Sequence, residues 1–141
     1  MNEIFSLIAA VGAALPSSPS TELVILVDRL RNNKGTLHAC LSREPRHFPD
    51  CRADQSALLQ TVPAATRVLR FRGFPPGRYA VTLFHDENNN QRLDTVVGIP
   101  REGFGFSNNP TIRFGAPKFQ QVSIGLGAGY SRQSIRMQYI F

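Results

Sequence analysis

Three observations predict an all-β chain folded as an antiparallel β-sandwich of about seven strands. Short runs alternate apolar with polar residues, glycine, proline and asparagine cluster between those runs, and no stretch sustains a helical period. The 141 residues suffice for one hydrophobic core, and 10 prolines with 11 glycines supply the turns. Residues 21–141 are therefore read as a single domain, with no internal repeat and no linker to a second one.

Residues 1–20 are expected to be a signal peptide and short leader. The run IFSLIAAVGAAL at 4–15 is uncharged and apolar, and Gly12, Ala13 and Ala14 stand where a signal peptidase would cut. It falls short of the ~20 apolar residues that span a bilayer. Asn2 and Glu3 lack the usual leading positive charge, so a short apolar helix or a first strand on the core is the alternative. Export places the protein in the periplasm or outside the cell, with no membrane span once the leader is gone.

Within the domain, TELVILVDRL at 21–30 sets Leu23, Ile25 and Val27 on one face and Val24 and Leu26 on the other, the pattern of an internal strand. RNNKG at 31–35 has the residues of a hairpin turn, and GTLHACLS returns as a second strand. Cys40 and Cys51 follow, eleven positions apart; in a small exported domain such a pair reads as a disulfide, with two buried thiols as the alternative. QSALLQTV at 55–62 reads as a brief helical turn broken by VPAAT. Residues 67–74 and 78–85 are strands separated by Pro75, Pro76 and Gly77, and the second sets Tyr79, Val81, Leu83 and His85 on one face. The glycine-, proline- and asparagine-rich segment 98–117 follows, and KFQQVSIGL (118–126) and SIRMQYIF (134–141) read as the last two strands.

Lysine and arginine number 16 against 10 acidic residues, a formal charge of +6. The densest basic stretch, RVLRFRGF at 67–74, alternates Arg70 and Arg72 with Leu69 and Phe71, which is a half-buried strand with arginines outside. A nucleic-acid binder would add a basic cluster with interleaved stacking aromatics or a basic helix, so no nucleic acid is expected as partner.

The string from Gly73 through Phe119, with FPPGRYAVTLFHDEN, the Leu93–Asp94 pair, GIPREGFGFSNNP and RFGAPKF, resembles the bacterial family catalogued as domain of unknown function 2141. The similarity extends back to LRNNKGTLHACLSREPRHFPDC at 30–51. It implies an exported single domain with a prealbumin-like or immunoglobulin-like β-sandwich and a family without an established enzymatic activity. Members tend to read like HDENGNGKLD, whereas this chain has Asn89 and Gln91 at the two glycine positions. Glutamine accepts left-handed backbone poorly, so a tight turn at Gln91 is not expected.

HDENNNQRLD at 85–94 is the candidate metal site. With Asp86 as first ligand, Asn88 is third, Asn90 fifth, the Arg92 carbonyl seventh and Asp94 ninth, the oxygen spacing of a calcium loop. Gln91 at six, Val97 at twelve and the lack of flanking helices exclude an EF-hand. Two carboxylates and two amides would hold calcium only in the weak extracellular range. The alternative is a metal-free turn whose Asp and Asn side chains cap their own backbone.

In GFGFSNNP, the phenylalanines Phe104 and Phe106, with Phe114 beyond, are expected to tuck into the sandwich edge while the glycines turn sharply. Read instead as a recognition surface, the same loop offers Arg101, Glu102, Ser107, Asn108 and Asn109 to a glycan, peptide or envelope protein. Catalysis has little support. His38, His47 and His85 are scattered, no G-x-S-x-G is present, and neighbours on a strand such as His85 and Asp86 point to opposite faces. A non-enzymatic binding or accessory module of the envelope is expected. The rival is a hydrolase using His85 and Asp86 near the 98–117 loop, and a structural domain without a ligand is the third possibility.

Overall fold

A computed structural model describes residues 20–96, 99–113 and 115–141. The expected signal segment at 4–15 and Phe114 lie outside the described residues. In chain order the strands are β1 (Thr21–Asp28), β2 (Thr36–Ser42), β3 (Leu58–Pro63), β4 (Val68–Arg72), β5 (Gly77–Asp86), β6 (Thr95–Val96), β7 (Ile99–Pro100), β8 (Phe104–Phe106), β9 (Ile124–Leu126) and β10 (Gly129–Arg136). One helical turn, α1 (Phe119–Val122), precedes β9.

Two sheets form the sandwich. The smaller has the order β10-β1-β4, and the larger β3-β2-β5-β8, with β9 on the stretch of β5 that β8 leaves open. β6 and β7 make a separate small hairpin. Period-two alternation fills the space between the sheets: Leu23, Ile25 and Val27 from β1, Leu69 and Phe71 from β4 and Ile135 from β10 meet Leu37, Ala39 and Leu41 from β2 and Tyr79, Val81 and Leu83 from β5.

The neighbours of several strands differ from the sequence expectation. β1 and β2 are not a hairpin; residues 29–35 carry the chain from one sheet to the other, and β1 instead takes β10 as a parallel partner. Alternation specifies which side chains are buried, but not which strand lies alongside. Residues 58–63, read as part of a helical turn, form β3 because they pair with β2 from Leu41 opposite Leu58 to Thr36 opposite Pro63. The 118–126 segment starts with α1, whose N-terminus is closed by a bond from the Lys118 N–H to Gln121 Oε1 (2.8 Å), leaving only Ile124–Leu126 as strand. The last strand lies earlier than expected, at Gly129–Arg136, so Ile135 and Met137 are buried while Phe141 is 59% exposed.

Residues 104–106, expected within a connection, form β8. Phe104 and Phe106 point away from the main core and join Ala80 and Val122 in a second apolar cluster, covered by Phe48, Ile112 and Phe119. Gly103 and Gly105 face the other way. Their role is close approach and not the sharp turning expected: a Cβ at Gly105 would lie 2.7 Å from Ile135 Cγ2, and one at Gly103 2.4 Å from the Tyr139 ring.

Cys40 and Cys51 are joined, with Cα atoms 6.4 Å apart. The bridge ties the centre of β2 to the loop that carries Phe48 over the second cluster. Replacing both cysteines by serine is expected to cost about 3 kcal/mol through the lost loop-closure constraint. A lower urea midpoint with a steeper slope, as the released unfolded chain exposes more surface, is the corresponding measurement.

Candidate functional site

β5 ends where the candidate loop begins. His85 and Asp86, successive on the strand, point to opposite faces, and both are fully buried. His85 continues the inner face: Nε2 lies 2.6 Å from the Lys34 carbonyl, which can only accept, and Nδ1 lies 2.9 Å from the Tyr139 hydroxyl. Both ring nitrogens therefore have partners inside the fold.

Asp86 faces outward from the main core, and its carboxylate organises the loop that follows. Oδ1 accepts from the Asn90 N–H (3.1 Å), and Oδ2 accepts from the Gln91 N–H (2.7 Å) and faces His38 Nε2 at 3.0 Å. His38 sits on β2, one diagonal step across the ladder, where it stacks on Phe84 with ring centroids 4.6 Å apart. To reach these amides the chain turns left-handed at Asn89 (φ 56°) and at Gln91 (φ 63°). Gln91 thus adopts the tight turn that its side chain disfavours, held there by the hydrogen bond to Asp86.

The remaining loop side chains converge. Asn88 donates to Asp94 Oδ2 and Asn90 to Asp94 Oδ1, each at 2.6 Å, while the Oδ1 atoms of Asn88 and Asn90 accept from the N–H groups of Asn90 (3.3 Å) and Arg92 (3.0 Å). The bonds from Asn90 and Asn88 hold the Asp94 carboxyl below the ordinary aspartate value. Asn88, Asn90 and Asp94 therefore meet at one point, and Asp86 is turned into the loop backbone. Among the described residues no three His, Cys, Asp or Glu side chains cluster as a metal site.

Glu102, expected as a ligand contact, is buried and anchors both ends of the loop, accepting from the Glu87 N–H (2.6 Å) and the Asp94 N–H (3.1 Å). Arg31 adds a second clamp. Its guanidinium lies 4.5 Å over the Tyr139 ring and donates to Glu87, with Nε at 2.8 Å, while Asn32 donates to the other Glu87 oxygen at 3.0 Å. Burial raises the Glu87 carboxyl, but the bonds from Asn32 and Arg31 outweigh it and hold the group below the ordinary glutamate value. Burial pushes the Tyr139 hydroxyl up. Beside this network is a cavity of about 370 Å³ lined by Arg31, Glu87, Asn88, Asp94, Arg101, Glu102 and Phe141.

The five contact candidates divide. Arg101 and Glu102 belong to this end of the sandwich. Ser107 is buried beside Val81, four residues back along β5, where its hydroxyl accepts from the Val81 N–H (3.0 Å) and donates to the Val122 carbonyl. Asn108 donates to the Ser123 carbonyl (3.0 Å), and Asn109 bonds to the backbone of Ser134 and Arg136. His85, Asp86 and Ser107 consequently do not converge. Sequence reading missed His38, Arg31 and the anchoring role of Glu102; only the β2–β5 register brings His38 to Asp86.

Residues 25–134 match the bacterial family described as "uncharacterized protein conserved in bacteria" (DUF2141). No curated protein and no solved structure matches the chain at a significant level. No helix among the described residues is long and apolar enough to cross a membrane.

Because Asp94 and Glu87 are both held below their ordinary values, their stabilising contribution is complete above about pH 5 and is lost as pH falls through the carboxylate range. Melting temperature is expected to drop on acidification below pH 5, and the Asn88→Ala/Asn90→Ala variant, lacking the donors to Asp94, to show a shallower drop by calorimetry.

Proposed function

The chain belongs to DUF2141, a family of uncharacterized proteins conserved in bacteria, and we propose that this member is a non-enzymatic binding or accessory module of the cell envelope. The observation that carries the reading is the concave, polar end of the sandwich, where Arg31, Arg101, Asn88 and Asp94 surround a cavity and Phe141 adds an apolar wall. A site mixing arginine, amide and carboxylate groups with one aromatic suits an envelope protein, a glycan or a peptide. The Cys40–Cys51 bridge suits an oxidising compartment, and the apolar run at 4–15 suits export. Against a hydrolase reading, His85 has both ring nitrogens occupied, and Ser107, just past β8, lies beside Val81, four residues back along β5 from His85.

A second reading adds a weakly held calcium ion to the same end. Asn88, Asn90 and Asp94 already meet, and turning over the two carboxamides would set their oxygens beside the Asp94 carboxylate. The left-handed turn at the sixth position, which a wrapped cation loop needs, is formed at Gln91. Arg92 would offer its carbonyl and Asp86 a carboxylate oxygen.

Capture from an envelope fraction, run with calcium and with chelator, tests both readings. Arg101→Glu is expected to lower recovery of the partner without shifting the melting temperature, since Arg101 is exposed. If calcium binds in the millimolar range, ~10 mM should raise stability by about 1 kcal/mol, a shift of a few degrees. An unchanged midpoint removes the calcium reading and leaves the binding module to be judged on recovery alone.

A further inference from the structure

An open strand edge presents a row of N–H and C=O groups that can template another strand, so natural sheets guard their edges. Three edges are guarded here. β4 carries the charged Arg70 and Arg72. Along β10 the Asn109 carboxamide donates to the Ser134 carbonyl and accepts from the Arg136 N–H, both at 2.8 Å, standing in for a strand. β8 is closed by Gln138, which exchanges two backbone bonds with Phe104 (2.8 and 3.0 Å). β3 differs: LLQTVP holds no charge, Leu59 is 65% exposed, and among the described residues its ladder runs to β2 alone.

The register identifies the open groups. The Ala64 N–H donates to the Gly35 carbonyl (3.0 Å), and bonded pairs alternate along an antiparallel ladder, so Val62, Gln60 and Leu58 bond to β2. Leu59 and Thr61 direct their N–H and C=O groups outward. The next outward position on each side is closed: Pro63 has no N–H, and the Ala57 N–H donates to the Asp54 carbonyl (3.2 Å). The stops stand symmetrically about Gln60.

We propose that β3 is a self-association edge, pairing antiparallel with β3 of a second copy across a two-fold axis at Gln60. Leu59 then lies opposite the partner's Thr61 and Thr61 opposite the partner's Leu59, which forms four backbone hydrogen bonds before both stops are reached together. The two Gln60 side chains face each other in the close, non-bonded position, where carboxamides hydrogen-bond mutually. Neither strand is charged, so copies of a chain of net charge +6 meet here without opposing like charges. The larger sheets become continuous through both copies. A contact this short buries less than the roughly 1,200 Å² of a stable interface, so the dimer is weak.

Sedimentation equilibrium of the purified protein from about 10 μM to about 1 mM is expected to show a mass rising from monomer toward dimer. Gln60→Glu and Gln60→Lys, both at an exposed position, should each weaken association about tenfold or more by setting like charges face to face, and an equimolar mixture of the two should recover it. A wild-type monomer throughout that range overturns the proposal and leaves this edge to a strand of a different protein. Equal association of the wild type and both single variants overturns the axis at Gln60.

Discussion

A carboxylate removed from water must be given hydrogen-bond donors, and Asp86 stands fully buried at the end of β5. Two of its three hydrogen-bond partners are amides four and five residues further on, so the chain has to fold back over the end of the strand to supply them. The left-handed residues Asn89 and Gln91 are consequences of that requirement. Glu102 imposes the same demand from the other side, drawing in the amides of Glu87 and Asp94. Gly35, with φ 66°, completes the arrangement, because a Cβ there would fall 1.9 Å from the Asp86 carbonyl oxygen.

The position of Glu102 depends in turn on apolar packing. β8 lies against β5 with Phe104 opposite Phe84, and the His85 N–H bonds to the Gly103 carbonyl at 2.8 Å. That approach requires glycine at 103 and 105, where Tyr139 and Ile135 crowd the inner side, while Phe104 and Phe106 gain burial on the outer side. Tyr139 then links the two layers: its ring packs against Gly103 and carries Arg31, and its hydroxyl meets His85. Arg31 is thereby directed to Glu87. A polar network at the surface rests on which side of an apolar strand bears a Cβ.

The proposed binding end and the proposed association edge lie at different parts of the larger sheet. The first is built from long side chains and a cavity, the second from bare backbone.

The amino-acid order alone determined the all-β class, the inward residues of β4 and β5, the cysteine pair and the location of the polar loop, because each rests on local spacing or composition. Period-two alternation is visible in any strand that buries one face. Tertiary structure alone decided that β1 lies beside β10, that 58–63 pairs with β2 and that 104–106 completes the sheet, since partner choice depends on residues far apart in the chain. It also decided that Asp86 meets His38 and that Glu102 is an anchor. Those contacts are diagonal or end-on relations between strands, and a linear pattern records which face a side chain takes but not what stands opposite it.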